Sequence, residues 1–156
     1  MLVYIVEDSE LKARKISEFF EELLPSTFSF LLFASYQSGL RAVENKSPDL
    51  LVLDMTLPNF DRLPNAREGK VRPLGGYDLM RKMKLKGLRT KVAVVTQLES
   101  FGDGEEIVSF KDMTERCHSE FPEIFLGSVY FDQAGTGWRD ALASLIKSVS
   151  NLEIGQ

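Results

Sequence analysis

The sequence has one cysteine, no excess of basic charge and no long hydrophobic run, and each shortage removes a class of protein. A single thiol, Cys117, excludes an internal disulfide and suits a reducing compartment. The apolar stretches are a handful of residues each, far short of the roughly 20 that a membrane-crossing helix needs. Met1 runs almost directly into Leu2-Val3-Tyr4-Ile5-Val6, which leaves no basic leader before an apolar segment. A net charge of −4 supplies no broad basic surface, so nucleic acid is not an expected partner. What is present is a balanced profile, 44% hydrophobic and 27% charged, over 156 residues, enough for one domain with its own core. The expectation is a soluble cytoplasmic domain with no membrane partner.

Short aliphatic and β-branched runs alternate with stretches of helical period. Strands are expected at Leu2–Val6 and at residues 28–33, 50–54, 92–96 and 127–131. Each is apolar on both parities, which suits a parallel sheet covered on both faces. Leu11, Ile16, Phe19, Phe20, Leu23 and Leu24 mark a first helix ended by Pro25. Ser9 is a candidate cap for it, and Ser38 for a second helix carrying Leu40 and Val43. Tyr77, Leu79, Met80, Met83 and Leu85 mark a third helix, stopped by Gly87. Trp138, Leu142, Leu145, Ile146 and Val149 mark the last, with residues 151–156 fraying beyond it. Five βα units in this order predict a flavodoxin-like, doubly wound α/β domain over residues 1–150. Its five-stranded parallel sheet has the expected order 2-1-3-4-5, with helices on both faces.

Two segments exceed what such units require. Residues 59–74 form an insertion between the third strand and its helix, where about 2–6 residues are usual. It carries Pro64, Gly69 and Pro73 among the cations Arg62, Arg67, Lys70 and Arg72. Residues 97–126 include Gly102-Asp103-Gly104, ahead of a helix predicted from Glu105 to His118. Cys117 and His118 lie on that helix without partner cysteines and are not read as a metal or catalytic site.

In an open α/β sheet, sites form at the carboxyl ends of strands beside the point where the strand order reverses. The first and third strands flank that point, and their ends carry Glu7-Asp8 and Asp54. Three carboxylates converging on one crevice raise each other's pKa unless a cation neutralises them. Mg²⁺, which takes oxygen ligands from one or two carboxylates, waters and phosphates, is the simplest such cation. The fourth strand ends in Val94-Val95-Thr96, so a hydroxyl reaches the same rim and can donate to a phosphoryl oxygen. Together these residues predict an aspartyl-phosphate site with Asp54 as nucleophile and Thr96 as the group that reads its modification.

The segments Val3-Tyr4-Ile5-Val6-Glu7-Asp8-Ser9, Leu50-Leu51-Val52-Leu53-Asp54-Met55-Thr56-Leu57-Pro58, Gly76-Tyr77-Asp78-Leu79-Met80 and Val94-Val95-Thr96 resemble a response-regulator receiver domain of two-component signalling. The resemblance is specific over residues 1–96 and weaker beyond. It implies that Glu7 and Asp8 bind Mg²⁺ with Asp54, and that the backbone carbonyl of Thr56 is a further ligand. It also implies that Asp54 accepts phosphate from a histidine kinase or histidine phosphotransfer protein, and that Thr96 is the switch hydroxyl. An aromatic switch residue falls on Tyr130 or Phe131.

One element of the family pattern is missing. The family usually places a lysine at the end of the fifth strand, where its ammonium pairs with the acceptor and the phosphoryl group. Here that stretch reads Val129-Tyr130-Phe131-Asp132-Gln133-Ala134. A lost charge-assisted hydrogen bond is worth about 1.5–3 kcal/mol. Arg67 or Arg72 of the insertion, or Lys111, are candidates to replace it; otherwise the switch has decayed. The expectation is an atypical, single-domain response regulator that is a phosphoacceptor rather than an enzyme and acts through protein contacts. The alternatives are a pseudo-receiver that binds partners without phosphorylation, and a haloacid-dehalogenase-like phosphatase. The latter usually needs an acid two residues after its nucleophile, where this chain has Thr56.

Overall fold

The computed structural model describes residues 1–24, 28–62, 70–102 and 104–149. The expectations placed on Pro25, Pro64, Arg67, Gly69 and residues 151–156 lie outside that set. Five apolar runs form the central sheet: β1 (Leu2–Val6), β2 (Ser29–Phe33), β3 (Leu50–Leu53), β6 (Lys91–Thr96) and β9 (Phe125–Tyr130). All pair in parallel, in the order β2-β1-β3-β6-β9. In terms of the five long strands this is 2-1-3-4-5, the doubly wound flavodoxin-like order.

Burial on both faces explains the unbroken apolar runs of the inner strands. Val3, Ile5, Leu50 and Val52 face one core layer with Ile16, Phe20 and Leu142. Tyr4, Val6, Leu51 and Leu53 face the other, with Val43, Leu79 and Met83. The helices are α1 (Glu10–Leu23), α2 (Tyr36–Asn45), α3 (Gly75–Leu85), α4 (Phe110–Glu120) and α5 (Gly137–Ile146). Trp138 at the start of α5 is buried against Phe131, their ring centres 4.9 Å apart. β2 departs furthest from two-sided burial. It is one edge of the sheet, β9 being the other, and Leu31 and Leu32 remain about half exposed there.

Ser9 caps α1 by accepting from the Lys12 amide. The cap of α2 is Ser35 rather than Ser38; Ser38 stands three residues on and completes a reciprocal capping box. At the base of the insertion, β4 (Leu57–Pro58) pairs antiparallel with β5 (Val71–Arg72), so a short ribbon stands where a plain loop was expected.

Residues 97–126 also depart from expectation. The helix predicted from Glu105 begins only at Phe110, because Ser109 provides its cap by accepting from the Asp112 amide. Ahead of it, β7 (Ser100–Phe101) pairs with β8 (Val108–Ser109) around a single 3₁₀ turn at Gly104–Glu106. Gly102 and Gly104 both have positive φ there, a backbone shape that favours glycine.

Cys117 on α4 is fully buried in the layer that contains Met113 and Phe121. Burial first, and then the charge of Glu120, push its thiol up to about 12. The thiolate is the reactive form. Native protein at neutral pH is therefore expected to resist thiol reagents until it unfolds, with labelling kinetics that follow global unfolding. Rapid stoichiometric labelling under native conditions would contradict this packing.

Candidate functional site

The carboxyl ends of β1, β3 and β6 build the site, and the sheet ladder fixes their backbones. The Glu7 amide donates to the Phe33 carbonyl at 2.9 Å, and the Asp54 amide donates to the Val6 carbonyl at 3.0 Å. These bonds continue the pairing one residue beyond each strand, so Glu7 and Asp54 emerge side by side where the strand order reverses. Ligand oxygens of Glu7, Asp8 and Asp54 all lie within 4.8 Å of one another. The three predicted carboxylates do meet.

Each is placed differently. Glu7 is buried; its Oε1 accepts from the Ser9 amide at 3.0 Å. Asp8 faces solvent at the rim. Asp54 is partly covered, its side chain 12% exposed, and its Oδ1 accepts from the Met55 amide at 2.8 Å. The chain then turns tightly: Met55 is buried, its carbonyl accepts from the Gly76 amide at 2.8 Å, and a Cβ on Gly76 would meet the Asp54 carbonyl at 2.7 Å. Only glycine lets α3 start this close to the acceptor loop. The Thr56 hydroxyl donates to the Pro73 carbonyl at 2.9 Å, so its side chain is committed to the insertion.

Thr96 ends β6 and is completely buried. Pairing of Leu53 with Val94 brings it to the same edge as Asp54. Its Oγ1 accepts from the Leu98 amide at 3.2 Å, and its carbonyl accepts from the Phe131 amide at 2.7 Å.

The residue that sequence reasoning missed is Lys12, on the first turn of α1. Its side chain is 0% exposed. Its Nζ donates to Glu7 Oε2 at 2.7 Å and to the Val95 carbonyl at 2.8 Å, and lies 3.3 Å from Asp54 Oδ1. The signal was helical spacing. Lys12 stands four, seven and eight residues before Ile16, Phe19 and Phe20, on the buried face of α1. Leu11, expected in that stripe, is 50% exposed instead.

The cations considered at the sequence level lie elsewhere. Arg72 stacks on Tyr36, its guanidinium carbon 4.0 Å from the ring centre, and bonds Asn59 and Asp78. Lys111 is exposed on α4, and Arg67 lies outside the described residues. Arg62 does contribute positive charge near Asp8. Phe131, directly after β9, is buried in the core, while Tyr130 is 44% exposed and meets Phe110 edge-on.

The electrostatics leave a charge deficit. Among the described residues, three carboxylates face the Lys12 ammonium, with the charge of Arg62 acting on Asp8. Burial first, then the charge of Asp54, raise the Glu7 carboxyl from 4.5 to about 8 against the pull of Lys12. Burial and Asp54 raise Asp8 as well. An all-oxygen site with surplus negative charge and one solvent-facing acid fits a divalent, hard cation.

No family model matches the chain. It is 30% identical over 154 residues to the Detocs response regulatory protein DtcB of Enterobacter cloacae, covering 97% of this chain and 100% of that one. The chain belongs to the response-regulator receiver family. Solved receivers share the fold of this one at lower identity. A LuxR-family DNA-binding response regulator from Staphylococcus aureus superposes with a TM-score of 0.61 at 15% identity, over 96% of this receiver and 98% of that chain. The receiver domain of a Pseudomonas aeruginosa sensor histidine kinase, with a magnesium ion coordinated in its active-site cleft, gives 0.57 at 14%, over 96% and 98%.

The raised Glu7 carboxyl has a signed consequence for this receiver. The folded state holds that proton more tightly than the unfolded chain, so the stability it contributes is full below about pH 4.5 and is lost as pH rises towards 8. With divalent cations chelated, wild-type stability is expected to fall more steeply than that of Glu7→Gln from about pH 5.5 to 8 in denaturant titrations. Equal slopes would contradict the assigned environment of Glu7.

Proposed function

We propose that this receiver accepts a phosphoryl group on Asp54 and signals through protein contacts. The observation that carries the reading is the convergence of Glu7, Asp8 and Asp54 within 4.8 Å at adjacent strand ends, with a buried ammonium beside the acceptor. An Asp54 carboxylate oxygen attacks phosphorus, and the bond from phosphorus to the donor's imidazole nitrogen breaks. That nitrogen keeps the bonding pair and the other ring nitrogen keeps its proton, so the donor histidine leaves neutral. The Met55 amide, which donates to Oδ1 at 2.8 Å, holds the carboxylate oriented. Glu7, Asp8, Asp54 and the Thr56 carbonyl are the groups that would hold Mg²⁺, which supplies charge neutralisation to the transferring group. The magnesium in the Pseudomonas receiver supports that assignment.

Thr96 is the hydroxyl that registers the phosphoryl group, because it closes the strand beside Asp54. The donor is a histidine kinase or a histidine phosphotransfer protein in the cytoplasm, in keeping with the response-regulator name of the Enterobacter relative. Output passes to a protein partner over the surface formed by α4, β9 and α5, where Tyr130 stands exposed.

Neither rival gains support. The pseudo-receiver reading rested on a missing cation, and an ammonium lies 3.3 Å from Asp54 Oδ1. A phosphatase reading needs an acid at position 56, where a threonine hydroxyl is bonded to Pro73. Incubation with acetyl phosphate and Mg²⁺ is expected to add one phosphoryl group to wild type and none to Asp54→Ala, by intact mass or Phos-tag mobility. EDTA is expected to abolish the reaction. A label that persists in the alanine variant would place the acceptor elsewhere.

A further inference from the structure

We propose that Lys12 is the cation that holds the phosphoryl group on Asp54, delivered by the first turn of α1 rather than by the end of β9. The inference rests on the reading of Asp54 as acceptor. The residue that follows β9 is Phe131, and its side chain is core: its ring packs on Trp138, and the Lys12 ammonium lies over it at 5.9 Å. An apolar ring thus occupies the strand end, and the helix opposite supplies the charge across it.

The placement of Lys12 is unfavourable for a purely structural residue. Its ammonium is fully removed from water, which is costly unless every proton is matched. It stands in the first turn of a helix, where the backbone dipole disfavours a cation. A long side chain with several rotatable bonds is frozen. All three penalties are offset only because the ammonium meets acceptors from three separate segments: Glu7 Oε2, the Val95 carbonyl and Asp54 Oδ1.

Those contacts are unequal. Glu7 and Val95 bind at 2.7 and 2.8 Å, whereas Asp54 lies at 3.3 Å. Two short hydrogen bonds anchor the ammonium, and the longer ion-pair contact faces the acceptor. That arm can exchange a carboxylate oxygen for a phosphoryl oxygen without moving the anchor. Because Val95 directly precedes Thr96, the same ammonium joins the acceptor to the strand that carries the switch hydroxyl.

Calorimetric titration tests this, first with Mg²⁺ alone and then with beryllofluoride in saturating Mg²⁺, a mimic of the phosphoryl group. Lys12→Met is expected to bind Mg²⁺ as well as wild type or better, since a competing cation is gone. Its beryllofluoride affinity is expected to fall about tenfold or more, the effect of one charge-assisted hydrogen bond. Loss of a structural residue would not move the two ligands in opposite directions. Lys12→Met leaves Glu7 and Asp54 uncompensated and can fail to fold, so Lys12→Met/Glu7→Gln is compared with Glu7→Gln alone. Fluorescence of Trp138, the single tryptophan, verifies folding in each variant. Equal beryllofluoride affinity in the folded pair overturns the role of Lys12 and leaves Asp54 as acceptor. Failure of wild type both to bind beryllofluoride and to take phosphate from acetyl phosphate removes the acceptor reading, and this proposal with it.

Discussion

The buried ammonium of Lys12 is the constraint on which the site depends. Backbone pairing forces Glu7 and Asp54 to leave neighbouring strands together, whatever their charges, because their amides extend the ladder to Phe33 and Val6. The fold therefore creates a concentration of negative charge before any ligand arrives. The fixed Lys12 cation, held by a strand carbonyl as well as by carboxylates, makes that concentration tolerable. It does so incompletely, as the raised carboxyls of Glu7 and Asp8 show. The remaining surplus of negative charge suits the pocket to a hard divalent cation.

Much of the architecture was legible in the sequence, for a physical reason. Strands buried on both faces must be apolar throughout, so β1, β3 and β6 stand out as short aliphatic runs, and their alternation with helices dictates a parallel sheet. Glu7, Asp8, Asp54 and Thr96 were legible for the same reason: polar residues ending apolar strands lie where such folds place their chemistry. The segments that escaped are those governed by local hydrogen bonds rather than periodicity. Ser35 displaced Ser38 as cap of α2, and Ser109 moved the start of α4 to Phe110. The ribbons β4–β5 and β7–β8 are two residues per strand, too short for any pattern.

Lys12 was missed because lysine is read by default as a surface residue. Apolar periodicity assigned the first turn of α1 to Leu11, which is half exposed, while the lysine beside it turns inward. A cation in register with Ile16, Phe19 and Phe20 was the available clue. The family pattern directed attention to the end of β9 and to the arginines of the insertion, whereas the ammonium beside Asp54 comes from the first turn of α1.

A crystal structure of the protein with Mg²⁺ and beryllofluoride bound at Asp54 would test the central claim most directly. The account requires the Lys12 ammonium to stay buried on Glu7 and Val95 and to lie within hydrogen-bonding distance of a beryllofluoride fluorine. A Lys12 side chain turned to solvent, with another residue contacting that fluorine, would contradict it.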